Sequence, residues 1–487
     1  MLTVAYLANQ FPSPVEPYVA EEIEELRRRG VCVVPGSVRK PAGKPLGGGD
    51  HCAADIVLLP LQAAILLRAL FLCLRRWKRI APLLARIFVR GREGPLRRGK
   101  ALLHIWLGAC YAVRLKDRRI EHIHAHHGYF GAWIAMTAAR LLDVGFSMTL
   151  HGSDLLLHGV YLDVKLENCS FCLTVSEYNR RYILEHYPGV QKQRVVVSRL
   201  GVELSERFDP AGRQNHGSSF TFLSVGRLQP VKDHAFLVRA CAQVRAAGLR
   251  FECIIAGEGP ERWRLESLIR KYGLEKTVTL VGHVPRAQMA SLYARADVVL
   301  LTSRSEGIPL VLMEAMARGK IVLAPAITGI PELVTNGRNG FLYEAGSQAD
   351  FVARLRFIHS LMCDTPGERR HDPVRNDRVR SDPVRHDPPR KDHPNILSSR
   401  RPLDWMRHAA QVQVRHIFNR KKNLESFACF FIERVTAHTG SLRHENSLLQ
   451  QVQLSFQRHR GLPLRTDGVD ALAGARGRAV LDGKPAW

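Results

Sequence analysis

Residues 305–319 read Ser305-Glu306-Gly307-Ile308-Pro309-Leu310-Val311-Leu312-Met313-Glu314-Ala315-Met316-Ala317-Arg318-Gly319. The stretch follows the apolar run "ADVVLLTSR" and is itself apolar except for a carboxylate towards each end. Pro309 suits the first turn of a helix and Gly319 suits its stop. Glu306 is then expected just before the helix and Glu314 inside it, with the helix N-terminus between them. The free N–H groups near Gly307, Ile308 and Leu310 can hold an anion there. Carboxylates beside an anion site suit a different partner, and hydroxyls of a sugar that donate hydrogen bonds are the natural one. The plainer alternative is a solvated Glu306 and a capping or exposed Glu314. Spacing alone leaves both open.

Working outward, this strand–loop–helix unit is one of a series. The second half runs "FTFLSVGRL", "FECIIAGEGP", "TVTLVGHVP", "ADVVLLTSRSEG", "KIVLAPAITGIPELV" and "GFLYEAG". The first half opens with a strand at about Thr3–Leu7 and a helix in "EPYVAEEIEELRRRG", stopped by Gly30. Residues 56–90 are expected to be helical. "HIHAHHG", "FSMTLHGSD" and "FCLTVS" each read as a strand end followed by a polar loop, and "RVVVSRLGVEL" closes the half. Alternation of this kind belongs to parallel α/β sheets. A polar linker at 206–218 separates two doubly wound, Rossmann-like units, which are expected to face each other across a cleft at their C-terminal strand ends.

The chain has 487 residues, 46% of them hydrophobic, enough for two or three domains with sizeable cores. The net charge of +26 and pI near 10.1 point to an anionic partner: nucleic acid, anionic lipid or a phosphorylated ligand. No nucleic-acid recognition motif accompanies the charge, so nucleic acid is not expected. "MLTVAYLANQ" lacks the features of a signal peptide and reads as a first strand. The apolar stretch Ile56 to Leu74 is broken by Pro60, Gln62 and Arg68, a poor span for a bilayer that needs about 20 apolar residues. The wider segment "LPLQAAILLRALFLCLRRWKRIAPLLARIFVRGR" is apolar and cationic. It suits a helix lying on an anionic membrane surface, or one covering the sheet with Arg towards solvent. Cys169 and Cys172 have no further ligands at zinc spacing and read as buried free thiols, in keeping with a reducing cytoplasm.

In 364–400 aspartate recurs every five residues, at Asp372, Asp377, Asp382, Asp387 and Asp392, amid proline and arginine. Such a stretch has nothing to bury and is expected to be a disordered insertion. Helical signal returns in "RHAAQVQVRHIFNRKKNLESFACFFIERV".

Several loops bear candidate ligand-binding groups. "SVGRLQPVKD" places Gly226, Arg227 and Lys232 after a strand, where Arg and Lys can grip phosphate and Gly lets the backbone approach. "AGEGP" offers Gly257 and Gly259, weak evidence by themselves. "LHGSD" puts His151 and Asp154 at a strand end, facing the cleft if the fold is right. "HAHHG" gathers His124, His126 and His127, but strand residues alternate between faces and no carboxylate accompanies them, so a metal is not expected. The chain also has no Asp-x-Asp pair.

Together these motifs resemble the retaining glycosyltransferases of family 4, of GT-B fold. The resemblance rests on the E-x7-E pattern of Glu306 and Glu314, on "VGRL…K", "AGEGP", "GHV", "EAMARGK" and "GIPELV…GRNGFL". In the first half "HIHAHHG", "TLHGSD" and "TVSEYNRRYI" are similar to the exopolysaccharide and colanic-acid type. The resemblance implies an acceptor-side domain at 1–205, a donor domain at 216–363, the insertion at 364–400, a helix returning to the first domain at 401–436, and a tail at 437–487. It implies a UDP- or GDP-sugar donor, a lipid-linked or oligosaccharide acceptor, and no metal or other cofactor, and the apolar cationic segment adds the expectation of a cytoplasmic protein held peripherally on the inner face of the plasma membrane. Arg227 and Lys232 would neutralise the donor diphosphate, Glu314 would hold the ribose, and Glu306 would bind donor-sugar hydroxyls. His151 would meet the sugar from the other domain. Gly226, Gly257, Gly259, Val284, Gly307, Ile308, Pro309 and Leu310 would line the donor, and Glu16, His126, His127 and Asp154 the acceptor side. The usual Gly-Gly loop after the first strand is replaced by "ANQFPSPVEPYV", with Val15-Glu16-Pro17 where a Ser-Glu-Thr is common. A GT-B phosphorylase, or a GT-B scaffold that has lost catalysis, are the competing functions.

Overall fold

The computed structural model describes residues 1–13, 16–40, 53–89, 91, 93–204, 220–363 and 402–460, the last of these by backbone alone beyond 440. The repeat at 364–400 and the residues from 461 onward lie outside the described residues.

The first sheet contains β1 (Thr3–Gln10), β2 (Cys32–Arg39), β3 (Ile56–Val57), β4 (His122–His126), β5 (Gly145–Leu150), β6 (Phe171–Thr174) and β7 (Val195–Val197). Their order is β3-β2-β1-β4-β5-β6-β7, and every pairing is parallel. Its helices are α1 (Pro17–Arg28), α2 (Ala63–Arg75), α3 (Trp77–Phe88), α4 (Pro95–Leu115), α5 (Phe130–Leu142), α6 (Ser153–Leu156), α7 (Leu162–Asn168) and α8 (Glu177–His186). The second sheet contains β8 (Phe220–Val225), β9 (Phe251–Ala256), β10 (Val278–Gly282), β11 (Val298–Leu300), β12 (Ile321–Pro325) and β13 (Phe341–Tyr343). They lie in the order β10-β9-β8-β11-β12-β13, again all parallel. With them go α9 (His234–Ala246), α10 (Arg262–Lys271), α11 (Arg286–Arg295), α12 (Leu310–Ala317), α13 (Ile330–Leu333) and α14 (Gln348–Cys363). Each sheet reverses its strand order beside its first strand, at β1/β4 and at β8/β11. Loops on either side of such a reversal diverge and leave a crevice.

The helix pattern follows composition. α5, "FGAWIAMTAARLL", is apolar all round and almost wholly buried, as a helix between the sheet and α4 must be. Gly108 of α4 lets it approach, since a Cβ there would sit 2.6 Å from Thr137 Cβ. β4 is unusual: its three inward histidines, His122, His124 and His126, are fully buried. His122 and His124 bond Ser147, and His124 also bonds Thr149, both on β5. These bonds offset the burial of His124 and of His122 Nε2, while His122 Nδ1 is buried without a hydrogen-bond partner among the described residues. Burial also lowers the pKa of His122, to about 3, and of His124 well below normal, so both are neutral.

Two helices close the chain. α15 (Pro402–Ile417) packs on α12, and α16 (Arg420–Arg460) returns to α1 and β5. The crossing is pinned at Arg420, which pairs with Glu21 at 2.6 Å and Glu203 at 2.7 Å. Phe427, Phe431 and Val435 of α16 complete the core over β1 and β6.

The structure departs from the sequence expectations in four places. β1 runs on to Gln10, and residues 56–90 begin with the edge strand β3 before breaking into two helices at Arg76. β2 was not expected. The closing helix does not stop at 436 but continues to Arg460. Cys169 and Cys172 are buried and free, as expected. None of the described helices is long and apolar enough to cross a membrane.

Candidate active site

The loops after β8 and β11 meet in the second domain. Gly226 lies against β9's loop so closely that a Cβ on Gly257, whose φ is 151°, would fall 1.9 Å from the Gly226 carbonyl oxygen. Gly259 sits close on Leu228, where a Cβ would fall 2.4 Å from the carbonyl oxygen. These glycines therefore have a packing reason whatever they also touch. Arg227 is exposed and makes no ion pair among the described residues. Its charge nevertheless acts on Glu16, Tyr18 and Tyr129 of the first domain, which places it across the cleft from them.

Lys232 ends a short 3-10 turn and pairs with Glu306 at 2.5 Å. Ser303 Oγ donates to the same carboxylate oxygen at 2.6 Å. The phosphate and sugar candidates of the sequence thus neutralise each other. Pro309 is the residue before α12 rather than its first member, and the helix ends at Ala317, followed by Gly319 at φ 65°. Ile308 and Pro309 are buried, Leu310 and Val284 half-buried. The N–H groups of Gly307 and Ile308 meet no acceptor among the described residues. Glu314, half-buried, accepts a hydrogen bond from the Tyr293 hydroxyl at 2.8 Å. Burial and that carboxylate push the Tyr293 pKa well up.

The domains touch here. A Cβ on Gly307 would fall 1.9 Å from the carbonyl oxygen of His151, and one on Gly152, at φ 145°, would sit 2.8 Å from Gly307 N. Glycine on both sides is what allows this approach.

In the first domain a cluster of rings stands at the ends of β4 and β5. His151 packs 4.7 Å from Tyr18 and 4.5 Å from His127, centroid to centroid. His127 lies between Glu16 (3.1 Å) and Asp154 (3.6 Å). Burial opposes its charge, but the two carboxylates outweigh burial and raise its pKa to about 10, so it is a cation. Asp154 is held low against its own burial by His127, and Glu16 likewise. Burial first, then the charge of His127, keeps His151 neutral.

Two of the expected acceptor-side residues do not face the cleft. Asp154 is fully buried, and its oxygens take the N–H groups of Gly128, His151 and Gly152 at 2.7, 3.1 and 2.8 Å. It ties the β4 and β5 loops together. His126 is also buried, bonded to Glu22 at 2.9 Å and to His151 at 3.3 Å. The expectation that no carboxylate accompanies the histidines fails here: His124 and His126 share a face, and Glu22 of α1 joins them within 4.8 Å. Glu22 was legible in principle, since it lies on the Val19–Ile23–Leu26 stripe of α1 where a charge is out of place. Ser303, Tyr293 and Tyr18 gave no signal of their own.

Comparison with known proteins agrees with the two-domain fold. A family model for glycosyl transferases group 1 matches residues 206–380, and one for glycosyltransferase family 4 matches residues 15–206. The chain is 36% identical over 183 residues to WcaL of Salmonella typhimurium, named for colanic acid biosynthesis; the match spans 36% of this chain and 45% of that protein. It is 28% identical over 272 residues to the amylovoran biosynthesis glycosyltransferase AmsK of Erwinia amylovora, covering 53% of this chain and 66% of AmsK. The matches thus span less than two thirds of these curated relatives. Among solved structures, Anabaena HepE in complex with UDP and glucose superposes with a TM-score of 0.61 at 18% identity, covering 89% of this chain and 100% of that one. At that identity the likeness speaks for the fold.

Proposed function

The chain belongs to the family 4 glycosyltransferases of GT-B fold, and from that premise we propose that it moves a sugar from a nucleoside-diphosphate donor to a glycan acceptor, with retention, in the building of a bacterial surface polysaccharide. The observation that supports this best is the convergence of Arg227, Lys232, Glu306 and the open N–H groups of Gly307 and Ile308 opposite His151. Two cations and a helix N-terminus suit a diphosphate that gains charge as it leaves.

When a donor enters, Lys232 exchanges Glu306 for phosphate oxygens. Glu306, released, accepts hydrogen bonds from the sugar. Glu314 has one carboxylate oxygen on Tyr293 and can offer the other to the ribose. The acceptor oxygen forms its bond to the anomeric carbon on the face the phosphate leaves. The carbon–oxygen bond to phosphate breaks, and the acceptor's proton passes to the departing phosphate oxygen. No metal is needed to neutralise this leaving group. UDP or GDP remain the candidate nucleotides, and a lipid-linked or growing glycan the candidate acceptor. We place the protein on the inner face of the plasma membrane, held peripherally by α2 and α3, whose exposed Leu67, Phe71, Leu74 and Trp77 lie among arginines.

Calorimetry with UDP and GDP, with nucleotide release from their common sugars, tests the proposal. One nucleotide should bind, and turnover should persist in EDTA. Arg227→Ala should lower kcat about 100-fold, as loss of one charge-stabilising group does. Binding of neither nucleotide, or an Arg227→Ala variant with native kinetics, overturns it. Loss of turnover on chelation, restored by Mn²⁺, overturns the metal-free step alone.

A further inference from the structure

Glu22 and His126 line up behind the ring of His151. Glu22 Oε2 lies 2.9 Å from His126 Nε2, and His126 Nδ1 lies 3.3 Å from His151 Nε2. Glu22 and His126 are buried, so water does not compete for these bonds. We propose that Glu22 and His126 are positioning residues that act through His151, fixing which of its nitrogens carries hydrogen and presenting the other, unprotonated, to a hydroxyl of the donor sugar. The proposal rests on the transferase reading above and adds the direction of that contact.

The bonding order follows from what each atom can do. An ionised carboxylate only accepts, so His126 donates to it from Nε2. In the proposed relay His126 is neutral, which leaves a lone pair on its Nδ1. His151 must donate into that lone pair from its own Nε2, which leaves its Nδ1 as an acceptor. Among the described residues Nδ1 has no hydrogen-bond partner, and it is not one of the enclosed polar atoms that lack one. The loop backbone that carries the ring is held by Asp154, which receives the N–H groups of His151 and Gly152. Tyr18 and His127 pack against the ring. A neutral His151 agrees with its burial beside the cationic His127.

The same residues invite a metal reading, because Glu22, His124 and His126 offer ligand atoms within 4.8 Å. Their bonding disfavours it. His124 spends its nitrogens on Ser147 and Thr149, and His126 spends its own on Glu22 and His151. A ligand to a metal must instead turn a lone pair towards it.

Two measurements test the relay on the full chain. Proton spectra of the imidazoles should show a downfield, slowly exchanging N–H that disappears in Glu22→Gln and in His126→Gln and survives in Glu121→Gln. Its absence from the native protein overturns the proposal without any substrate. A double-mutant cycle on nucleotide release gives the second. Glu22→Gln should lower kcat about 10-fold, the usual scale for a residue behind a ligand-contacting one, with KM nearly unchanged. In a His151→Ala background the same change should have almost no further effect. Additive losses mean a structural role and overturn the relay, as does a metal equivalent that the native protein retains and Glu22→Gln does not. A native rate in His151→Ala overturns the relay as well. A native rate in Arg227→Ala, by contrast, brings down the transferase reading with it.

Discussion

At the scale of single residues, His127 sets a pH dependence. Its pKa is raised to about 10 by Asp154 and Glu16 despite burial. Unfolded, it titrates near 6.5. A raised pKa means that the folded state binds the proton more tightly. The contribution is therefore complete below about pH 6.5 and is lost as pH climbs towards 10. Asp154, held low, works in the opposite sense: its contribution is present above the ordinary carboxylate range and fades on acidification. Melting temperature should accordingly fall between pH 7 and 10, and the slope should flatten in His127→Gln. Equal slopes in the two proteins would refute the assignment. The same cluster shows where the sequence was hard to read. "LHGSD" announces a strand end with polar groups, and so both His151 and Asp154 were expected to face a ligand. One of them is consumed in tying the backbone. Only the path of the β4 loop decides which, and that path depends on residues 26 positions away.

At the scale of elements, the strands with apolar runs were legible, and β2 was not, because "CVVPGSVR" carries Pro and Gly. The structure shows how the strand accommodates them. The Pro35 carbonyl takes the Asp55 N–H on the side of the two-residue strand β3, so the missing N–H falls on that thinly paired side. Gly36 lies under the Tyr111 hydroxyl, where a Cβ would be 2.7 Å away. The stretch of α16 with Phe427, Phe431 and Val435 reads in the sequence as a returning helix, whereas the tail after Thr436 reads as polar and uninformative, and the helix continues through it to Arg460. Phe431 meets His122, His124 and Phe171 edge-on. Phe431→Ala should cost about 3–5 kcal/mol, measured by denaturant unfolding of the first domain; a change within 1 kcal/mol would mean that α16 does not cover β4. α2 and α3 make the complementary case of an apolar face left open, with Phe71 65% and Trp77 58% exposed. Co-sedimentation with vesicles containing phosphatidylglycerol should be strong and should weaken in a Phe71→Glu, Trp77→Glu variant. Equal binding by the variant would assign attraction to the net charge of +26 alone.

At the scale of the whole molecule, the question is what holds the two domains in this arrangement. α16 and the chain crossing tie them permanently. A second tie is reversible. Glu332 of α13 reaches across the cleft and accepts the N–H groups of Glu177 and Tyr178 at 3.0 and 2.7 Å, with Arg199 3.6 Å away. A carboxylate on the first turn of α8 satisfies donors that the helix cannot, and complements its dipole. Ser176 serves Asn179 there, so Glu332 supplies what the local sequence leaves over. The loop of Gly307 against His151 lies in the same closed interface, and a donor bound there must contact both sides at once. Breaking the Glu332 contact should therefore shift the free protein towards an open cleft and let a bound nucleotide draw it back. Charge-assisted hydrogen bonds of this kind contribute about 1.5–3 kcal/mol, a shift of roughly 10-fold or more in the closing equilibrium. In small-angle scattering, Glu332→Ala should give a larger radius of gyration than the native chain without nucleotide and the same one with it. Its donor KM should rise while kcat changes little, because the charges that stabilise the leaving group are untouched. Identical scattering from the two free proteins would show that α16 alone holds the cleft shut, and that the domains meet over Gly307 without help from Glu332.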